Sequence, residues 1–263
     1  MQKIATLLAS VVAALAAVTS ASAAALSATP WQPHSRYTLL QMNLCLSGEA
    51  NCYHRTNHLA TVEEAAGQIT QQDAQAVTMN EVCSRDATNV ARRTGYDVRF
   101  AAVLVSHKRL RCVNPGRRGV FGIAILTKDS VRASHGEAFK AHDGHEERRW
   151  LCVDTATSVT VCTAHLGTRG SAQGRRANDA QCVELGTVLT RYAEGGTAVF
   201  GGDVNRHKPC APATMWARRD SSALQQPGIQ HIYGSPSLDV VATHAAVASY
   251  TDHDYFSTTG RLR

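Results

Sequence analysis

The chain has 263 residues, of which 27 are Lys or Arg and 21 Asp or Glu, with a net charge of +6. Hydrophobic residues make up 44% and charged residues 18%, a balance that supports a buried core and excludes an intrinsically disordered chain. Eight cysteines are too few for a small disulfide-only scaffold and many for a reduced cytosolic enzyme, and the basic charge favours anionic partners without naming one.

In chain order, residues 1–23 read as a secretory signal peptide. Lys3 supplies the positive start, residues 4–18 an Ala/Leu/Val run, and Ala21-Ser22-Ala23 a small-x-small cleavage pattern before Ala24. The run is shorter than the ~20 apolar residues of a membrane span, so the expected localisation is secreted. Residues 24–35, rich in Ala, Ser and Pro, read as a loose mature N-terminus. Residues 36–263 contain no long linker, repeat or low-complexity block and read as one domain.

Within that domain, residues 36–43 read as a strand burying Tyr37, Leu39 and Leu40, and 57–72 as a helix rich in Ala and Glu. A strand follows at 75–82, then a short helix at 84–94 with Ser84 as N-cap and Gly95 past its end. Strands at 96–105 and 119–127 flank a basic loop, and 150–155 with 158–165 alternate like a hairpin. Residues 172–193 form the clearest helix: Cys182, Leu185, Leu189 and Tyr192 recur at helical spacing and Gly195-Gly196 ends it. Short strands are predicted at 197–201 and 238–243. The order mixes strand–helix–strand units with hairpins, which argues for mixed sheets covered by helices rather than a doubly wound parallel sheet.

Oxidation of the cysteines follows from export, and their even number lets all of them pair. Cys45 and Cys52 flank a short polar loop, and Cys152 and Cys162 sit symmetrically about the hairpin turn, so each pair is local. Cys83, Cys112, Cys182 and Cys210 then remain, as Cys83–Cys112 and Cys182–Cys210. No Cys-x-x-Cys occurs, so disulfides are favoured over a Cys/His metal site.

The informative pattern is a polar residue able to bind metal or phosphate wherever an apolar strand ends. Asn43 ends the first strand, Glu81 the second, and His165 the hairpin; Asp203 and Asn205 follow Gly201-Gly202; Asp239 opens Leu-Asp-Val-Val; Asp252-His253 lie near the C-terminus. Alone, each reads as a cap, a turn residue or a satisfied histidine; together they describe a site at strand ends.

On these residues the chain resembles the endonuclease/exonuclease/phosphatase superfamily, which includes pancreatic-type deoxyribonucleases, as a secreted, bacterial-type member. The carrying motifs are Met42-Asn43, Asn80-Glu81, Ala164-His165, Gly202-Asp203-Val204-Asn205, Asp239 and Thr251-Asp252-His253. Asn80 stands where Gln is usual, Val204 where Phe or Met is, and Thr251 where Ser is. The resemblance implies an α/β (α+β) fold, a four-layer sandwich of two mixed β-sheets flanked by helices. It also implies metal-assisted hydrolysis of a phosphoester, with Mg²⁺ as the expected cofactor and Mn²⁺ or Ca²⁺ as alternatives.

Such a cation neutralises phosphate and prefers oxygen ligands; Glu81, Asn43 and Asp252 are the expected set. By the resemblance, Asp203 deprotonates the attacking water, Asn205 holds water or phosphate, and His253 binds a phosphate oxygen. Asp239 is expected to orient His253 by accepting its other ring N–H. His165 is the second imidazole, and either histidine can be the general acid. Of the pair Arg148-Arg149, read either as phosphate-binding or as a solvated edge pair, Arg149 is expected to contact phosphate. Arg206, echoing the Gly-Asp-Phe-Asn-Arg run of the cytolethal distending toxin catalytic subunit, is expected to do the same.

Basic clusters at Lys108-Arg109-x-Arg111, Arg117-Arg118, Arg148-Arg149, Arg175-Arg176 and Arg218-Arg219 favour a polyanion. Loop 106–118 has no aromatic residue to enter a membrane. Nucleic acid, DNA before RNA, is thus the expected substrate of a monomer with no obligate protein partner and no stable membrane association. A sphingomyelinase, an inositol-phosphate phosphatase, and a binding module with a decayed site are the alternatives.

Overall fold

The computed structural model describes residues 35–50, 52 and 56–263. The predicted signal peptide, and all but Ser35 of the predicted mature N-terminus, lie outside the described residues. No helix among those described is long and apolar enough to cross a membrane. The elements are β1 (Arg36–Asn43), α1 (His58–Gln71), β2 (Ala76–Cys83), α2 (Ser84–Thr94), β3 (Asp97–Ala102), β4 (Leu104–Val105), β5 (Lys108–Arg109), β6 (Phe121–Thr127), β7 (Val131–His135), β8 (Glu146–Glu147), β9 (Trp150–Thr155), β10 (Val159–His165), α3 (Ala172–Glu194), β11 (Thr197–Asp203), β12 (Trp216–Arg219), β13 (Gln230–Gly234), β14 (Leu238–Ala246) and β15 (Tyr255–Leu262).

Two six-stranded sheets dominate, in the orders β14-β15-β1-β2-β6-β3 and β12-β13-β11-β10-β9-β7, with a small β5-β4-β8 sheet beside them. Each large sheet has one parallel pair, β1–β2 and β10–β11, among antiparallel neighbours. Successive side chains on a strand point to opposite faces, and the core divides accordingly. Leu40, Met42, Val77 and Met79 pack outward on Val62, Ile69 and Val90 of α1 and α2. Ala164, Ala198 and Phe200 pack outward on Leu185 and Leu189 of α3. Tyr37, Leu39, Ile123, Val153, Val161 and Val199 meet between the sheets. The result is the expected helix–sheet–sheet–helix sandwich.

The inward rows change character along their length. Leu39, Gln41 and Asn43 follow one another on β1, and Ala76, Thr78 and Asn80 on β2, in register. On β10 and β11 the paired inward residues are Val161 and Val199, then Thr163 and Gly201, then His165 and Asp203. Each row thus runs from apolar, through small polar, to a chemistry-bearing residue at the strand end. The middle step is a buried network: Gln41 Nε2 donates to Asn80 Oδ1 at 2.9 Å and Thr78 Oγ1 donates to Gln41 Oε1 at 2.6 Å. Gly201 is required there, because a Cβ would lie 2.2 Å from Thr78 Oγ1.

Four disulfides join Cys45–Cys52, Cys83–Cys112, Cys152–Cys162 and Cys182–Cys210. Cys152 and Cys162 are directly opposite on β9 and β10. Several elements differ from the sequence reading. The predicted strand 96–105 divides into β3 and β4, because buried Val103 leaves the sheet to bond Phe121 O at 3.1 Å. Ser84 is not the cap of α2; its hydroxyl accepts from Val120 N at 3.2 Å, and Cys83 holds the cap position. Strands β5, β7, β8, β12, β13 and β15 are not among those read from the sequence. β15 is nonetheless central, lying between β14 and β1.

Candidate functional site

Four neighbouring strand ends deliver Asn43 (β1), Asn80-Glu81 (β2), His165 (β10) and Asp203 (β11). On β2 the pairing with β6 shifts between Met79 and Val82, and Glu81 takes a positive φ of 53°. Irregularity there breaks the two-residue alternation, so the consecutive Asn80 and Glu81 both bond Asn43 or Asp203. Asn205 also has a positive φ, 52°, a conformation Asn tolerates better than most residues. The segment between β14 and β15 brings His253 over the same end.

Asp203 is the hub. Its Oδ2 accepts from Asn43 Nδ2 at 3.0 Å and lies 3.3 Å from His253 Nε2 and 3.8 Å from His165 Nε2. Its Oδ1 accepts from the Asn205 N–H at 2.9 Å, and its own N–H donates to Asn80 Oδ1 at 2.7 Å. Asn43 Nδ2 also donates to Glu81 Oε1 at 3.0 Å. Asn205 Nδ2 donates to Leu166 O at 2.9 Å and sits 3.2 Å from His165 Nε2. Asn43, His165, Asp203 and His253 are all buried.

These contacts set the charges. Burial disfavours the charged form of every group here, but pairing reverses that for two of them. For His253, bonds to Asp203 and Asp252 outweigh burial and push the pKa up to about 10. For Asp203, the His253 bond and the two imidazoles hold the carboxyl far below the usual carboxylate range despite burial. His165 goes the other way: burial, then the Arg148 charge, push it well below the ordinary histidine value. The site therefore contains a cationic His253, an anionic Asp203 and a neutral His165 near neutral pH.

Three expected residues are placed elsewhere, and one takes a different part. Asp239 does not meet His253; it lies exposed on edge strand β14 and pairs with Arg263. The partner of His253 Nδ1 is Asp252, at 2.8 Å, the contact expected of Asp239. Among the described residues, the only cluster of three acid, His or Cys side chains close enough to share an ion is Cys45, Cys52 and Asp252; two of these are disulfide-bonded, and Asp252 is not grouped with Glu81. Arg149 faces away from the cleft and donates to Ala102 O at 2.9 Å. Arg206 is held by Asp179 of α3 at 2.8 Å.

The cleft arginine is instead Arg148, a consequence of strand alternation. Its side chain is 8% exposed and pairs with Glu146 at 2.7 Å, while its Nε and Nη1 have no hydrogen-bond partner. With Glu81, Glu146 and Thr168 it lines a cleft of about 580 Å³. The doublet at 148–149 was the available sequence signal; which member turns inward was not visible in it.

The donor set fits a hard divalent cation. Glu81 accepts a single side-chain hydrogen bond, from Asn43, and burial pushes its pKa up. A half-buried carboxylate so poorly matched gains from a cation. Asn43 turns its Nδ2 toward Glu81 and Asp203 and its Oδ1 toward the Cys45 N–H at 3.3 Å, so its oxygen joins Glu81 only when the carboxamide rotates.

Solved structures share this architecture. An endonuclease/exonuclease/phosphatase from Beutenbergia cavernae superposes with a TM-score of 0.61 at 17% identity, over 86% of this chain and 72% of that one. The fold is the endonuclease/exonuclease/phosphatase fold. TDP2 from C. elegans has it too, with a TM-score of 0.62 at 15% identity, over 86% of this chain and 75% of that one. So does a mannosyl-6-phosphatase from Bacteroides thetaiotaomicron, with a TM-score of 0.61 at 12% identity, over 84% and 98%. No protein-family model matches the chain. No curated protein matches it either.

Proposed function

We propose that the protein is a secreted, metal-dependent phosphodiesterase that hydrolyses nucleic acid, DNA in the first place. The observation that carries this reading is the Asp203–His253 pair, 3.3 Å apart, set beside Glu81, Asn43 and the unpartnered nitrogens of buried Arg148. Together they offer an acceptor for a water proton, a protonated imidazole, oxygen donors for a cation, and a guanidinium for phosphate.

Glu81, with the Asn43 carboxamide turned to present its oxygen, would hold a divalent cation, Mg²⁺ before Mn²⁺ or Ca²⁺, which would supply neutralisation of the phosphate charge and support for the leaving oxygen. Arg148 and the cationic His253 bind non-bridging oxygens. Asn205 positions the attacking water, and Asp203 accepts its proton as oxygen bonds to phosphorus. A phosphate oxygen that takes the His253 Nε2–H removes from Asp203 the bond that holds its pKa down, so binding makes Asp203 a better base. The ester P–O bond breaks opposite the attacking water, and the departing oxygen takes a proton from solvent, leaving an alcohol and a phosphate monoester, while His253 keeps its proton on the non-bridging oxygen. Neutral His165 accepts from Asn205 Nδ2 and fixes that side chain.

The test incubates purified mature protein with plasmid DNA, RNA, sphingomyelin and an inositol phosphate, in Mg²⁺ or in EDTA. Metal-dependent cleavage of DNA is the expected result. Turnover of sphingomyelin or the inositol phosphate alone replaces the substrate class, and no metal-dependent turnover of any ester leaves a binding module.

A further inference from the structure

The basic clusters of the sequence separate in three dimensions. Arg118 is withdrawn into a buried pair with Asp86 at 2.7 Å, and Arg148 enters the cleft. Four other arginines converge outside it. Arg85, at the start of α2, Arg109 of β5, Arg111 and Arg117 line one cavity of about 660 Å³ with no acidic side chain in its wall. Arg109 also lines the adjoining cavity, about 630 Å³, with His107, His135 and Arg149, again without an acid. The shared Arg109 makes the two a continuous basic track.

The β4–β5 hairpin is the wall between this track and the catalytic cleft. Val105 and Leu110 line the cleft with Glu81 and Arg148, while Arg109 and Arg111, on either side of Leu110, line the outer cavity. Loop 111–120 is braced in place. Cys112 is bonded to Cys83, Arg118 Nε donates to Pro115 O at 3.0 Å, and Arg85 Nη1 donates to Arg117 O at 2.8 Å. Among the described residues, no carboxylate pairs with Arg85, Arg109, Arg111 or Arg117. Like charges closer than a Debye length of ~8 Å repel one another, and a braced loop that gathers them without counter-charge is preorganised for an anionic ligand.

We propose that this track binds the sugar–phosphate backbone of a polynucleotide beyond the scissile bond, outside the hairpin. The choice of a polynucleotide rests on the nuclease reading above. The track is concave, and none of the large exposed apolar residues, Leu59, Val183, Leu224, Val241, Val247 and Tyr250, lies in it, which favours a strand of phosphates over a membrane surface.

The test measures binding of a fluorescent 30-base-pair duplex (about three turns) by anisotropy in EDTA, across a NaCl series, so that cleavage does not intervene. Arg85→Ala/Arg109→Ala/Arg117→Ala is compared with Arg92→Ala/Arg132→Ala/Arg261→Ala, which removes equal charge from exposed sites elsewhere. With each lost phosphate contact worth ~0.9 in the log–log salt slope, the track variant should flatten the slope by about 2.7 and bind roughly 30-fold more weakly. The control should stay within about threefold. Arg109→Glu, at an exposed position, gives the same direction of change if the triple variant folds poorly. Hydrolysis of bis(4-nitrophenyl) phosphate should be unchanged in the track variants. Equal losses in both triples, no duplex binding by the unaltered protein, or binding to anionic vesicles and not to duplex overturns the track. Duplex binding that depends on the track, without cleavage in Mg²⁺, keeps the track and removes the nuclease reading. Cleavage with undiminished affinity in the track variant does the reverse.

Discussion

His253 Nε2 stands 3.3 Å from Asp203 Oδ2, with Asp252 2.8 Å behind its Nδ1. One imidazole is thus shared between two carboxylates, and the three side chains come from the end of β11 and from the segment before β15. His253→Ala and Asp203→Ala should each lower turnover by ~10³-fold, the scale of losing a positioned proton carrier or charge stabiliser. Circular dichroism should show both variants folded. Near-normal rates would mean that the chemistry lies elsewhere.

Replacing the two aspartates that compete for the orienting role separates them. Asp252→Ala should reduce turnover by ~10²-fold, since it leaves the Nδ1–H of a buried imidazole without its acceptor. Asp239→Ala, which removes only an exposed pair with Arg263, should stay within about twofold. The opposite ranking, measured as kcat on the same substrate, would reinstate Asp239.

That contrast also marks how far the sequence could be read. Asn43, His165 and Asp203 were legible because each ends an apolar run that alternates toward the space between the sheets. Glu81 ends such a run too, but it reaches the site only through the irregularity that breaks the alternation on β2. Asp239 misled because Leu-Asp-Val-Val looks the same on an inner strand and on edge strand β14. The strand that lies beside β11 is β13, where Gln230 is opposite Asp203, and Gln-His-Ile-Tyr-Gly carries too little apolar signal to be seen as a strand. Strand β15 is rich in Ser and Thr for a central strand, and was missed for the same reason. Arg148 and Arg149 are indistinguishable by composition; only the face each takes at the start of β9 separates them.

Asp220 gives a pH-dependent test away from the cleft. It is buried and accepts from the Gly228 N–H at 2.7 Å and the Gln230 N–H at 3.2 Å, yet burial dominates and pushes its pKa from 3.8 up to about 6. The folded state therefore holds this proton more tightly than the unfolded state. Its stabilising contribution is complete below pH 3.8 and is lost as pH rises through about 6. Asp220→Asn removes that dependence, so its Tm relative to the unaltered protein should rise between pH 4 and pH 6.5 (about the window of this shift). A Tm difference that is flat with pH would show that Asp220 titrates normally.

The disulfides give a stability prediction. Cys83 and Cys112 close a loop with a separation of 29 residues, for which unfolded-chain entropy predicts about 3.5 kcal/mol of stabilisation. Cys83→Ser/Cys112→Ser should lose roughly that amount in urea unfolding. A loss under about 1 kcal/mol would mean that the bridge adds little beyond the packing around it.

The most direct measurement of the central claim is the initial rate of plasmid nicking by the purified mature protein in Mg²⁺, in EDTA, and after Mg²⁺ is restored, with His253→Ala prepared in parallel. The account predicts nicking that stops in EDTA, returns with the metal, and is nearly absent in the variant. Nicking that persists in EDTA, or that His253→Ala retains in full, would contradict it.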